Sequence, residues 1–445
     1  MGNKIVIVGG VGGGATVAAQ IRRMDSESEL ILFDKGEHIA FSNCGMPYYI
    51  GGIVDEREKL LRDSNDFAEK YKVKLNINSE VVQINREKKE VTYRAEDHEQ
   101  KESYDTLILA PGAHASVPDL DGLNNEVTFT LHTIPDMDAI HAYIAKNKPK
   151  TCAIIGAGFI GLEMVENLHK LGLDCTVIDR SKQVMKLVDP DMATMIQDHL
   201  KAKGVNLILN EGMESFTNEG KTIQLSSGKS VEADMTILAV GITPYTKLAS
   251  EADLQIGETG AIAVNEFMQT NDSSIFALGD AVETADYLTQ TQRHVALAWP
   301  AHRQAYIIAN YLKGKKIPYQ GTLGSAIFKV FDLSVAVTGH NGASLDQLGI
   351  AYQEVTHEAL SHAGYYPGAE KVSIKVMFDA NEKIVGAQVI GEDGVDKRLA
   401  ILATAIKGGI TITELAELEL AYSPPYSSPK DPINIIGYKA INTKK

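Results

Sequence analysis

The chain has 445 residues, 44% of them hydrophobic and 23% charged, and a formal net charge of −15. Its length calls for two or three domains of ordinary soluble composition, its acidity argues against nucleic acid as a partner, and no apolar run reaches the ~20 residues that would cross a membrane. With no signal-peptide pattern at its start, it reads as a cytoplasmic protein whose three cysteines, Cys44, Cys152 and Cys175, stay reduced.

Lys4 to Val8 is a short β-branched run, followed by Gly9-Gly10-Val11-Gly12-Gly13-Gly14 and an alanine-rich helical pattern from Ala15 to Met24. Such a strand, glycine turn and helix suit a dinucleotide: the glycines, Gly9, Gly12 and Gly14 foremost, let backbone N–H groups approach a pyrophosphate, and the helix adds its positive end. A second strand, Leu30 to Phe33, ends at Asp34, whose carboxylate is placed to accept ribose hydroxyls. The register is imperfect, because G-x-G-x-x-G counted from Gly9 meets Val11, and counted from Gly10 ends on Ala15.

Next comes Phe41-Ser42-Asn43-Cys44-Gly45-Met46-Pro47-Tyr48-Tyr49, which sets one cysteine in a turn punctuated by glycine and proline. No second cysteine is near in sequence, so no C-x-x-C pair can close. Exchange with a substrate disulfide, or sulfenic acid chemistry with peroxide or oxygen, remains. Burial as a small apolar residue is the commoner fate of a cysteine and is the reading for Cys152 and Cys175, which lie in strand-like runs. The neighbours Asn43, Gly45 and Pro47 suit a turn beside a ligand, which favours a reactive Cys44. Arg22, Arg23, Lys70, Lys72 and Lys74 offer local positive charge to an anionic small molecule, although a solvated face is the plainer reading of each alone.

The nucleotide pattern then repeats. Cys152 to Ile155 is a strand, Gly156-Ala157-Gly158-Phe159-Ile160-Gly161 fits the fingerprint at Gly156, Gly158 and Gly161, Leu162 to Leu171 has helical periodicity, and Cys175 to Ile178 leads to Asp179 and Arg180. Two fingerprints imply two dinucleotides, of which a bound flavin and a diffusing nicotinamide are the natural pair. Strands closing at Pro111-Gly112 and at Gly241 supply further glycines at the expected sites. Ser274 to Asp280 reads as a return to the first domain, with Asp280 near a ribityl or phosphate group and a helix following. From about Ser325 the glycine fingerprints cease. Ile327 to Val337, Lys371 to Phe378 and Ile384 to Val389 read as strands, and Lys397 to Lys407 and Ile412 to Leu418 as helices, in an α+β domain suited to packing against a second subunit. It holds two aromatic loops, His362 to Pro367 and Tyr422 to Lys430.

Together these features resemble the single-cysteine branch of the pyridine nucleotide-disulfide oxidoreductases, which includes NADH oxidases, NADH peroxidases and coenzyme A-disulfide reductases. The resemblance spans essentially the whole chain. It implies an α/β fold of the glutathione-reductase kind, with two Rossmann-like domains and a C-terminal α+β dimerisation domain. The expected boundaries are 1–115 with 246–324 for FAD, 116–245 for NADPH or NADH, and 325–445 for dimerisation. Ala40-Phe41-Ser42-Asn43-Cys44 is similar to the Ser-Phe-x-Asn-Cys signature of the coenzyme A-disulfide reductases, with alanine replacing the serine.

By the same resemblance Cys44 is the redox residue, and Thr16, Gln20, Arg23, Asn43 and Lys72 match coenzyme A contacts. Tyr365 and Tyr422 match a tyrosine pair that the other subunit supplies, with Lys430 as a basic residue in the same loop. A peroxidase or oxidase of this branch would carry a histidine in the first glycine loop, where Gly12 stands here. The expected activity is therefore reduction of coenzyme A disulfide by a homodimer. An oxidase or peroxidase working through a Cys44 sulfenic acid is the alternative, and a redox sensor without turnover the third reading. No metal, nucleic acid or membrane is expected. Nor is the rhodanese domain of longer relatives, since the sequence stops at Lys445.

Overall fold

The alternation of Lys4–Val8 sends Ile5 and Ile7 to one face of a parallel sheet and Val6 and Val8 to the other, and both faces are buried. The five strands lie in the order Ile275–Ala277, Thr106–Leu109, Lys4–Val8, Glu29–Phe33 and Val73–Asn76. The chain steps outward from Lys4–Val8 on one side and returns on the other, so the first glycine loop leaves at the switch in strand order, where such sheets hold ligands. Helices Gly13–Met24 and Ala298–Leu312 cover one face through Val17, Ala18, Ile21, Ala305 and Ile308. The other face packs on an antiparallel sheet of Ser79–Asn85, Glu90–Ala95 and His98–Ser103 through Val81, Ile84 and Val91.

This computed structural model describes residues 2–96 and 98–442. The sheet above belongs to a unit of Met1–Ser116, His132–Asp138 and Gly241–Thr322, and the rest of the chain forms a second unit. Among the described residues no helix is long and apolar enough to cross a membrane. Lys445, where the sequence stops, lies outside the described residues.

The second unit contains its own parallel sheet, in the order Asn206–Leu209, Asp174–Asp179, Thr151–Ile155, Met235–Leu238 and Thr128–Phe129. Cys152 and Cys175 are register neighbours on adjacent strands of it. Both are buried, and burial pushes both thiols upward, Cys175 to about 12, as expected of inert core cysteines.

The same unit holds an antiparallel sheet ordered Ala326–Val330, Leu333–Gly339, Ile384–Gly391, Lys371–Phe378 and Gln353–Leu360, with helices Val395–Gly408 and Pro432–Asn442. Three local expectations change here and nearby. The run Ile327 to Val337 is two strands, because the chain turns at Phe331, whose φ is 54°. Ile412 to Leu418 holds only a 3-10 turn, Glu414–Glu417. The segment after Asp280 is a strand, Val282–Ala285, and the helix begins only at Ala298.

Candidate active site

Both glycine loops are built alike. The Gly9 N–H donates to the Phe33 carbonyl at 2.8 Å, and the Gly156 N–H to that of Ile178 at 2.8 Å. A Cβ on Gly9 would lie 2.1 Å from the Ala110 carbonyl oxygen, and one on Gly14 would lie 1.7 Å from that of Gly9, so neither position admits a side chain. Gly156 and Gly161 face the same obstruction, at 2.3 Å from Ala239 and 2.0 Å from Gly156. The match of Gly9 to Gly156 and Gly14 to Gly161 settles the register: Val11 occupies the middle glycine's place. Beside each loop is open space, since a Cβ on Gly12, Gly112 or Gly158 would meet nothing within 4 Å. Two cradles lined by backbone are thus available, and they fit a dinucleotide each.

The carboxylates that end the second strands brace these loops. Asp34 accepts the N–H of Gly10 at 2.6 Å and of Gly36 at 2.7 Å. Asp179 accepts those of Ala157 at 2.8 Å and Ser181 at 2.7 Å. Burial raises Asp34 above the usual carboxylate range against the opposing pull of those N–H donors. Beyond Asp179, Arg180 and Lys182 are exposed, and the Ser181 hydroxyl is shielded from solvent with no partner among the described residues. An orphaned hydroxyl next to two cations suits a bound phosphate.

In the first unit, Asp280 is partly buried and its carboxyl is likewise raised by burial, opposed by His132 and His294. Its turn is held by Gln304, whose side-chain oxygen accepts the Gly279 N–H at 2.7 Å. Gly112 and Gly241 flank a two-stranded crossing of Ala113–Ala115 with Ile242–Pro244. Their carbonyls accept the N–H groups of Tyr245 and Ser116, both at 2.9 Å.

Cys44 is exposed, in a 3-10 turn Asn43–Gly45 that runs into the helix Met46–Ile50. The stretch read as a turn is therefore the start of a helix, with Pro47 in its first turn, where the missing N–H costs nothing. Ala40 has φ 51°, a strained value for alanine, and donates its N–H to the Gly10 carbonyl at 2.9 Å, tying this segment to the first glycine loop. Asn43 reaches the His132 carbonyl at 3.4 Å.

On the helix Gly13–Met24, Thr16, Gln20 and Arg23 fall at spacings of four and three and form its outward stripe, partly or fully exposed. The Arg23 guanidinium lies 5.9 Å from the Tyr71 ring centre, with Arg62 at 5.9 Å and Lys70 at 5.6 Å, and Lys72 exposed next in the chain. A basic surface thus stands on a molecule of net charge −15. Arg22 is not part of it. Its guanidinium donates to the carbonyls of Tyr71, Asp25, Ser28 and Lys72 at 2.9 to 3.0 Å, and so clamps the turn that presents Lys72 at φ 45°.

Two contributors, Arg62 and His302, belong to no motif in the sequence. The His302 ring nitrogen Nδ1 pairs with the Thr16 hydroxyl at 3.1 Å across 286 residues of sequence. The signal for Arg62 was the Phe67 and Tyr71 spacing of the following helix, which sets both rings beneath it.

In the second unit, Tyr365 and Tyr422 are exposed and their hydroxyls lie 3.3 Å apart. Lys430, also exposed, stands 5.4 Å from the Tyr438 ring centre.

Comparison with known proteins agrees with these observations. Residues 3–305 match the pyridine nucleotide-disulphide oxidoreductase family, and residues 325–431 its dimerisation domain. The chain is 40% identical to a coenzyme A disulfide reductase of Staphylococcus haemolyticus over 98% of this chain and 99% of that one. Among solved structures it resembles reduced CoADR-RHD of Bacillus anthracis, at 46% identity and a TM-score of 0.98, covering 99% of this chain and 80% of the other. It also resembles a water-forming NADH oxidase of Lactobacillus brevis, at 27% identity and a TM-score of 0.94, over 99% and 98%. The chain therefore belongs to the pyridine nucleotide-disulphide oxidoreductase family, through both nucleotide-binding folds and the dimerisation domain.

Proposed function

We propose that the protein is a homodimeric, FAD-dependent enzyme that reduces coenzyme A disulfide, or mixed disulfides of coenzyme A, with NAD(P)H. The observation that carries this reading is Cys44, the one exposed cysteine of the chain, four residues after Ala40, whose N–H binds the first glycine loop, in a protein 40% identical to a coenzyme A disulfide reductase end to end. Gly9, Gly12, Gly14, Asp34, Gly112 and Asp280 would hold FAD. Gly156, Gly158, Gly161, Asp179, Arg180 and Gly241 would serve the nicotinamide nucleotide. Bound FAD would relay the hydride of NAD(P)H as two electrons to a disulfide at Cys44.

The protein's own part begins with the thiolate of Cys44, which attacks one sulfur of coenzyme A disulfide. One S–S bond forms to Cys44 as the substrate's own breaks, and a coenzyme A thiolate departs. Two electrons and one proton then cleave the Cys44–S–S–CoA bond, release the second coenzyme A as its thiol and restore the Cys44 thiolate. Neither Cys152 nor Cys175 can substitute, since both are buried in strands with raised thiols. The phosphates of coenzyme A suit the basic face of Arg23 and Lys72, with Thr16, Gln20 and Asn43 as neutral donors. Tyr365 and Tyr422 act at Cys44 of the partner subunit and return a proton to the departing thiolate, with Lys430 beside them. Such single-thiol exchange works in a reducing compartment, which favours the cytoplasm.

The test is NAD(P)H consumption by catalytic amounts of enzyme with coenzyme A disulfide, oxygen or peroxide as sole acceptor, beside the mass of the isolated protein. Disulfide-dependent turnover, lost in Cys44→Ser while a dye acceptor is still reduced, and an adduct of coenzyme A mass on Cys44 support the reading. Turnover on oxygen or peroxide alone would replace it with an oxidase or peroxidase.

A further inference from the structure

Arg398 is an arginine with no exposed surface, in the helix Val395–Gly408 of the second unit. A buried guanidinium is costly unless every donor is used, and a methionine of similar bulk would fill the space more cheaply. Here four of the five N–H donors have partners, three of them on two loops at once. Nη2 donates to the Ser361 carbonyl at 2.8 Å and to Asp431 at 3.0 Å, Nε to Asp431 at 3.3 Å, and Nη1 to the Gly394 carbonyl at 3.0 Å. Asp431 also accepts the Ser427 hydroxyl at 2.6 Å and the Ile433 N–H at 3.0 Å.

Ser361 opens the loop that carries Tyr365, and it closes that loop on Glu370, whose carbonyl accepts the Ser361 N–H at 2.7 Å. Ser427 and Asp431 close the loop that carries Tyr422 and Lys430. Between the loops runs one backbone link, from the Ala363 N–H to the Pro424 carbonyl at 3.3 Å, at the long end of the hydrogen-bond range. Within their own chain the two tyrosines are exposed, so little of that chain's packing fixes where their hydroxyls meet. The fork of Arg398 is the buried junction that joins the roots of both loops.

We propose that Arg398 is a positioning residue for disulfide reduction: it fixes the Ser361 and Asp431 loop ends relative to each other, so that the Tyr365 and Tyr422 hydroxyls stay within hydrogen-bond distance. The proposal rests on the reading that this tyrosine pair serves the reaction. Lysine at position 398 keeps the charge but cannot bridge a carboxylate and a carbonyl in one plane.

The test uses the FAD-loaded dimer of Arg398→Lys and of Ser427→Ala, which removes one hydroxyl from the junction and leaves the ion pair. Disulfide-dependent kcat and KM are measured beside reduction of a dye by NAD(P)H, which needs no tyrosine. The expected result is a fall in disulfide turnover of roughly tenfold or more for Arg398→Lys, a smaller fall for Ser427→Ala, and unchanged dye reduction in both. In a Tyr365→Phe/Tyr422→Phe background the Arg398→Lys effect should shrink to less than about twofold, because residues acting through one unit are not additive. Parallel loss of dye and disulfide activity, or an undiminished effect in that background, would overturn the proposal. If the tyrosine variant alone turned over coenzyme A disulfide at the wild-type rate, the role of the tyrosines would fall instead, and the Arg398 proposal with it.

Discussion

Tyr365 and Tyr422, 57 residues apart in the chain, bring their hydroxyl oxygens to 3.3 Å. The hydrogen bond shared with Tyr365, followed by burial, holds Tyr422 above the ordinary tyrosine value. Tyr422 therefore keeps its proton to a higher pH than an ordinary tyrosine and has it to give at neutral pH. Tyr365→Phe removes the largest cause of that elevation, so the alkaline limb of the disulfide kcat profile should move to lower pH. Tyr422→Phe should lower kcat roughly a hundredfold, the range for a lost proton donor. An alkaline limb that stays in place in Tyr365→Phe would mean that the shared hydrogen bond takes no part in turnover.

If these tyrosines serve the partner's cysteine, defects on separate subunits complement. Mixed dimers of Cys44→Ser and Tyr422→Phe would contain one site with Cys44 and Tyr422 both intact, and should recover up to about half of the wild-type activity per hybrid. Hybrids isolated by two affinity tags and found as inactive as either parent would assign the tyrosines to packing.

Asp431 gives a stability prediction with a definite sign. Burial works against its charge, but Arg398, the Ile433 N–H and the Ser427 hydroxyl together hold it below the usual carboxylate range. A depressed folded value stabilises the fold at any pH above the unfolded value of about 3.9, and that contribution is lost as pH falls through the folded one. Asp431→Asn leaves the Arg398 guanidinium buried without its countercharge, which costs about 3 to 5 kcal/mol at pH 7. The gap between wild-type and variant unfolding midpoints should then narrow below pH 4. A gap that widened in acid would reverse the assignment.

The nucleotide-binding units were legible because their signals are local. A β-branched strand, a glycine turn and an alanine-rich helix lie within the 20 or so residues from Lys4 to Met24, and the second copy repeats the strand, turn and helix, with larger apolar residues in place of the alanines. Cys44 stood out for the same reason, through its immediate neighbours. What stayed hidden depends on contacts across long separations. Arg22 read as a surface charge until the carbonyls of Tyr71 and Lys72 closed around it, and Arg398 is buried by Ser361 and Asp431, 37 and 33 residues away. The break at Phe331 depends on a left-handed backbone that no propensity assigns to phenylalanine.

The choice between NADH and NADPH turns on the end of the strand Asp174–Asp179. An acid at the end of such a strand suits the ribose 2′-hydroxyl and repels a 2′-phosphate, while the cations Arg180 and Lys182 that follow Asp179 pull the other way. The structure gives Asp179 a further task, since its two oxygens already accept the N–H groups of Ala157 and Ser181. Those bonds orient the carboxylate into the loop, as Gly10 and Gly36 do for Asp34. Removing it unties the glycine turn, so Asp179→Ala should weaken NADH and NADPH alike, where the strand-end acid alone would have implicated NADH. Arg180 has no such duty and is exposed. As a solvent-screened partner of a 2′-phosphate it contributes about 1 kcal/mol, or roughly fivefold in KM. Arg180→Ala should therefore raise KM for NADPH about fivefold and leave that for NADH within about twofold. Steady-state KM values for both nucleotides in the two variants decide the matter: an equal rise for both in Arg180→Ala would make that arginine a bystander, and a selective loss of NADH in Asp179→Ala would restore the carboxylate to its role on the ribose.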